Sequence, residues 1–167
     1  MTEWCENKFQ VSGDPDAVGR AVAAINCCDT LFGTIPPPSG VGQAGQPHDR
    51  KAMDRWKRQW MTAWGTPLDV PTAALNSAGD ASWRMETAWS PPEGFYKTFA
   101  KLYGVTVTAY WFFGGNGEVF AGSGVWRPSG RSKTEDADLP FGEPAGDDDE
   151  DWWDPVTEAW YDQYFGE

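Results

Sequence analysis

The sequence predicts an α+β domain: one mainly antiparallel sheet with helices packed on one face. Three observations lead there. Stretches that alternate apolar and polar residues recur along the chain, the mark of strands with one buried face. Between them lie stretches whose apolar residues recur at helical spacing. An Asn-Gly pair inside "GGNG" then joins two β-rich runs, as a hairpin does. With 167 residues, 40% hydrophobic and 15% aromatic, the chain can bury a core of its own.

The elements follow in order. "WCENKFQV" sets Cys5, Phe9 and Val11 against Glu6, Lys8 and Gln10. In "GDPDAVGRAVAAIN" Asp14 is placed to cap a helix, Pro15 suits its first position, and Val18, Val22 and Ile25 form its stripe. "FGTIPPPSGVGQAGQPHD" is a Pro/Gly-rich loop. "DRKAMDRWKRQWMTAWG" is a second helix, at about 49–64, with Met53, Trp56, Trp60 and Trp64 on one side and Gly65 stopping it. A weak strand is expected near "PLDVP". "ASWRMETAW" puts Trp83, Met85, Thr87 and Trp89 on one face. Ser90 and Glu93 match a capping box for a third helix that buries Phe95, Phe99 and Leu102 and ends at Gly104. "VTVTAYWFF" and "EVFAGSGVW" form the hairpin. The plan is β-α-β-β-α-β with an inserted helix and an added last strand.

Past Trp126 the character changes. Residues 1–126 read as the folded domain, 127–151 as an acidic linker, and 152–167 as an aromatic amphipathic helix, capped by Asp154, opened by Pro155 and striped by Val156, Trp160 and Tyr164. The net charge of −12 is equally uneven. Residues 1–133 hold thirteen bases against twelve acids, whereas 134–167 hold thirteen acids and no base. Such asymmetry points to an interaction surface.

Little chemistry of other kinds is legible. His48 is the single histidine and lies in the Pro/Gly loop; three cysteines, two of them adjacent, make no disulfide framework and suit a reducing cytosol. No triad, metal set or phosphate loop is spaced for catalysis, so no catalytic residue, metal or cofactor is expected. Asp147, Asp149, Asp151 and Glu158 fit four positions of a calcium loop, but Trp152 stands where that loop needs glycine. No apolar run is long enough to cross a membrane, and "MTEWCENKFQ" lacks the basic and apolar regions of a secretory signal.

"NKFQVSGDPDAV", "AWGT", "TAWSPPEGFYKTFAKLYGVTVTAYWFF" and "GEVFAGSG", in that order across roughly residues 4–125, resemble the YubB-like ferredoxin-like proteins of plasmids and phages. The resemblance implies a ferredoxin-like fold and a mobile-element origin, and carries no catalytic residues with it. The acidic segment from residue 134 lies outside it.

That segment holds the sharpest functional expectation. Asp147, Asp148, Asp149, Glu150 and Asp151 are consecutive, with Trp152, Trp153 and Trp160 as candidate anchors. A helix rises about 1.5 Å per residue and B-DNA carries one charge per about 1.7 Å; an extended chain, at about 3.3 Å per residue, approaches the roughly 3.4 Å spacing of one strand. The run therefore has the charge density to imitate a nucleic acid. The expected function is non-enzymatic: a protein of the bacterial host cytosol that engages a basic, nucleic-acid-binding host protein and inhibits it, as an anti-defence or anti-CRISPR type inhibitor would. It would touch no nucleic acid or membrane directly. Two alternatives stay open. One is a binding module using Arg50, Lys51, Arg55, Lys57 and Arg58 of the second helix, with the acidic tail as autoinhibitor. The other is an enzyme using sheet-face carboxylates such as Asp80 and Glu86. The acids could also serve solubility alone, and the bases of the second helix could be a solvated face with Asp54 paired to Arg58.

Overall fold

In the computed structural model, residues 4–36, 50–67, 70–115, 118–140 and 155–166 are described. Strand β1 (Trp4–Ser12) leads into helix α1 (Pro15–Cys27); helix α2 (Arg50–Trp64) follows, then the two-residue strand β2 (Asn76–Ser77), β3 (Ser82–Ala88), helix α3 (Glu93–Tyr103), β4 (Thr106–Gly115), β5 (Glu118–Trp126), β6 (Ser132–Ala137) and helix α4 (Pro155–Phe165). The strands form one antiparallel sheet in the order β2-β3-β1-β4-β5-β6. The α+β architecture and the mainly antiparallel sheet match the sequence reading.

Alternation in β1 works as the pattern implies. Cys5, Phe9 and Val11 are buried, and Asn7, on the same face, is buried with them. Its amide donates to Cys5 O and to Thr87 Oγ1, both at 2.8 Å, so this polar group enters the core with partners. Asp14 Oδ1 accepts from the backbone N–H of Asp16 and Ala17, the cap expected of it. The most buried stripe of α1 runs through Ala17, Ala21 and Ile25, one residue round from the valines, which pack at its margin. Small residues let this helix lie close to the sheet.

Helix α2 reaches the core at its C-terminal end. Trp64 is buried, and Trp60 and Trp64 both pack on Phe32 with tilted rings. The crossing with α3 is tight: a Cβ placed on Gly94 would sit 1.9 Å from Ala63 O. Gly65 ends the helix with φ +85°. α1, α2 and α3 share one face of the sheet, over a core built from Phe9, Phe95, Phe99, Trp111 and their neighbours.

Several expectations need correction. The helices do not all share that face. In β4, Trp111 and Phe113 point to α1–α3, while Tyr110 and Phe112 point the other way and are covered by α4. Residues 132–137, assigned to a linker, form β6, because the Gly130 turn (φ +83°) folds the chain back along β5. Of "PLDVP", Leu68 and Asp69 lie outside the described residues; among the described ones Pro71 forms an isolated bridge with Thr30, and the outer neighbour of β3 is the short β2. Trp89 lies just past β3 with φ +70° and is 47% exposed, since the chain turns there into α3. The capping box is not formed: Pro92 occupies the cap position, and the Ser90 hydroxyl donates to Gly65 O. Leu102 and Val156 are exposed; Tyr96 and Ala100 of α3, and Thr157 and Phe165 of α4, take the buried places.

Candidate interaction surfaces

The acidic segment begins and ends on the folded body. At its start, β6 is the sheet's edge strand, and Glu135 and Asp136, with Asp138 just beyond, are exposed. At its end, α4 lies on the second face of the sheet. Trp160 and Tyr161 pack on Phe112, Tyr164 stacks on Tyr110 at 4.4 Å, and Phe165 is buried. The two ends meet: Thr157 Oγ1 donates to Pro140 O at 3.0 Å. The chain that carries Asp147, Asp148, Asp149, Glu150, Asp151, Trp152 and Trp153 thus leaves and rejoins the body at one place. Those seven residues, with Asp154 and His48, lie outside the described residues. Trp160, named as a possible anchor for a partner, is half-buried against the protein's own sheet.

Polar contacts fix α4 in place. Tyr161 donates its hydroxyl proton to Glu6 Oε2 at 2.7 Å. Burial, then the Glu6 hydrogen bond, pushes the Tyr161 phenol up to about 12. At the helix C-terminus Lys8 Nζ donates to Tyr164 O at 3.0 Å, and Arg84 donates to Phe165 O and to Gly166 O. Both cations complement the negative end of the helix dipole and satisfy carbonyls that no further turn can reach.

Of these residues, Glu6, Lys8, Arg84 and Gly166 line a groove of about 890 Å³, with Trp4 (51% exposed) and Glu86 also in its wall. Register explains its charges: Glu6 stands opposite Glu86, and Lys8 opposite Arg84. Like charges directly across a ladder repel. The cation pair is stabilised by the carbonyls of α4, and Glu6 by Tyr161. Sequence reasoning set Lys8 on the polar face of β1, but that face is covered by α4, and nothing local marks Lys8 or Arg84 as a partner of a helix end some eighty or more residues away in sequence.

On the opposite face α2 presents its bases. Arg50, Lys51, Arg55 and Arg58 are exposed and Lys57 is half-buried. Among the described residues no ion pair joins Asp54 to Arg58; the one ion pair there is Lys133 with Glu135 on β6. The indole N–H groups of Trp56 and Trp60 are buried without a partner.

Carboxylates gather differently from the expectation. Asp80 lies in the turn before β3 and Glu86 near that strand's far end, both exposed. The carboxylate that the fold sets opposite Glu86 is Glu6, across the β1–β3 ladder. Elsewhere, burial first, then the charge of Asp136, raises the Glu93 carboxyl above its ordinary value. Cys5 is fully buried, and burial pushes its thiol up to about 12, which leaves it a poor nucleophile. Among the described residues no group of three or more His, Cys, Asp or Glu is gathered to hold a metal ion.

Comparison of the chain with family models, with curated proteins and with solved structures finds no match.

Proposed function

We propose that this chain is a non-enzymatic binding protein of phage or plasmid origin, with a ferredoxin-like core, that engages a basic nucleic-acid-binding protein of its bacterial host and inhibits it through an acidic, nucleic-acid-like surface. The observation that carries the reading is the Thr157–Pro140 hydrogen bond. It makes the acidic run a closed excursion from a fixed platform rather than a free tail. A charge array held at both ends loses less conformational entropy when it meets a complementary surface. The exposed acids of β6 and the outer side of α4, Glu158 and Asp162 among them, extend the same sign of charge around its base.

Position also favours an outside partner over self-neutralisation. α4 and the flanks of the run lie on one side of the sheet, and the basic helix α2 packs on the other. The ferredoxin-like reading is supported by the split arrangement in which β3 lies between β1 and β2, with β4 on the other side of β1. The three cysteines are free, which suits a reducing cytosol. Among the described residues no helix is long and apolar enough to cross a membrane.

The test is capture from nuclease-treated bacterial lysate with the intact protein as bait. Retained proteins should be basic, and a short DNA duplex or RNA should displace them. Retention that no nucleic acid displaces would refute the mimicry.

A second reading rests on α2, whose bases make no ion pair among the described residues. Under it the helix itself binds an acidic surface, and changing Arg50, Arg55 and Arg58 to Gln would abolish capture while neutralising the acidic run would not.

A further inference from the structure

The charge pattern of β6 fits one partner in one register. We infer that the β6 edge pairs with the β6 edge of a second copy of this chain, antiparallel across a twofold axis, to make one continuous sheet. This is independent of the function proposed above.

The edge is open. Arg127 N donates to Arg131 O, which fixes the phase of the ladder with β5. In an antiparallel pair successive residues aim their backbone groups to alternate sides. Arg131, Lys133, Glu135 and Ala137 therefore face β5, and the N–H and C=O groups of Ser132, Thr134 and Asp136 point outward. Ser132 through Asp136 are all exposed. An unpaired edge of this kind is a template for another strand, and charges on it decide which strand is admitted.

Symmetry then limits the choices. A twofold axis normal to the sheet keeps each face on its own side, so residues directly opposite must have the same parity. Centring the axis on Lys133, Glu135 or Asp136 sets a charge against its own copy. Centring it on Ser132 sets Arg131 against Lys133. Centring it on Thr134 does neither. Lys133 then stands opposite Glu135 of the second copy, Glu135 opposite its Lys133, and Ser132 opposite its Asp136. Opposite charges directly across a ladder attract. Within each chain Lys133 already pairs with Glu135 on the same face. The two copies together would close a square of alternating charge around the axis. On the other face, each Asp136 carboxylate gains a hydroxyl donor in Ser132 of the second copy.

Sedimentation equilibrium of the full-length protein up to about 1 mM, the range suited to a short interface, should show a species of twice the monomer mass. Thr134→Pro removes one outward N–H and leaves the β5 ladder alone; it should remain monomeric with an unchanged circular dichroism spectrum. Lys133→Glu and Glu135→Lys should each be monomeric alone, because each sets like charges across the axis. Mixed in equal amounts they should form a heterodimer, since the two acids of the first variant then stand opposite the two bases of the second. An intrachain ion pair cannot produce that rescue. A native protein that stays monomeric, a folded Thr134→Pro variant that associates as the parent does, or a mixture that fails to form heterodimers would each overturn the inference.

Discussion

Lys8, in the middle of β1, donates from Nζ to the carbonyl oxygen of Tyr164 in the last turn of α4, 3.0 Å away. With Arg84 on the neighbouring strand, it ties the end of the chain to the centre of the sheet. The acidic segment is thereby anchored on the body that the first strand begins.

Neutralising those two cations should loosen α4 without unfolding the domain. Cations at a helix C-terminus contribute about 0.3–1 kcal/mol each. The double variant Lys8→Met, Arg84→Met should lower stability by roughly 1–2 kcal/mol and raise amide hydrogen exchange across residues 157–165. Unchanged exchange there would show that aromatic packing alone holds the helix.

Because Thr157 meets Pro140, the intervening segment should be removable. Replacing residues 141–154 by a Gly/Ser linker of about five residues shortens the closed loop and should stabilise the fold by about 1 kcal/mol. A higher melting temperature with native far-UV circular dichroism is the expected result. Deleting 141–167 outright should instead bare Tyr110 and Phe112, lower the melting temperature and increase binding of an apolar dye.

Gly94 is where α2 crosses α3 most closely. Gly94→Ala would drive a methyl into Ala63 O. Overpacking of this kind costs about 1–3 kcal/mol, and more where backbone must move. Urea unfolding should show a lower midpoint, with Trp64 fluorescence the first signal to change.

Tyr161 gives the protein an alkaline signature. Its folded pKa, about 12, lies above the ordinary phenol value of 10 that it regains on unfolding. The neutral phenol is therefore favoured in the folded state. That contribution is fully present below pH 10 and is lost as pH rises towards 12. The native protein should lose stability across this window more steeply than Tyr161→Phe, compared by denaturant midpoint at each pH. Parallel curves for the two proteins would contradict the assignment.

Much of the architecture was legible because it rests on local pattern: the alternation of β1 and β3, Asp14 before Pro15, and Gly65 and Gly104 at helix ends. What escaped depends on contacts distant in sequence. Residues 109–113, "AYWFF", are apolar on consecutive positions, a sign of a strand buried on both faces. Taken alongside the amphipathic end of the chain, that run could have signalled that α4 covers the second face. β6 escaped because "SKTEDA" has no apolar face at all: it is an edge strand whose pairing comes from its neighbour rather than its own residues. The capping box failed because two prolines moved the helix start and left Ser90 facing α2 instead. As for the site, sequence located the charge asymmetry, but the closure by Thr157 and the grip of Lys8 and Arg84 exist only in three dimensions.

Under the proposed function the acids at 147–151 bind a basic partner. The measurement that tests it most directly is the association rate of the captured partner at several salt concentrations, for the native protein and for a variant with Asp147, Asp148, Asp149, Glu150 and Asp151 changed to Asn or Gln. Contact between surface charges is screened over about 8 Å at physiological salt. Steering by opposite fields acts mainly on the on-rate. The native rate should fall steeply as salt rises, and the neutralised variant should associate more slowly with most of that dependence gone. If the variant associates as fast as the native protein, with the same dependence on salt, the acidic run does not carry the binding.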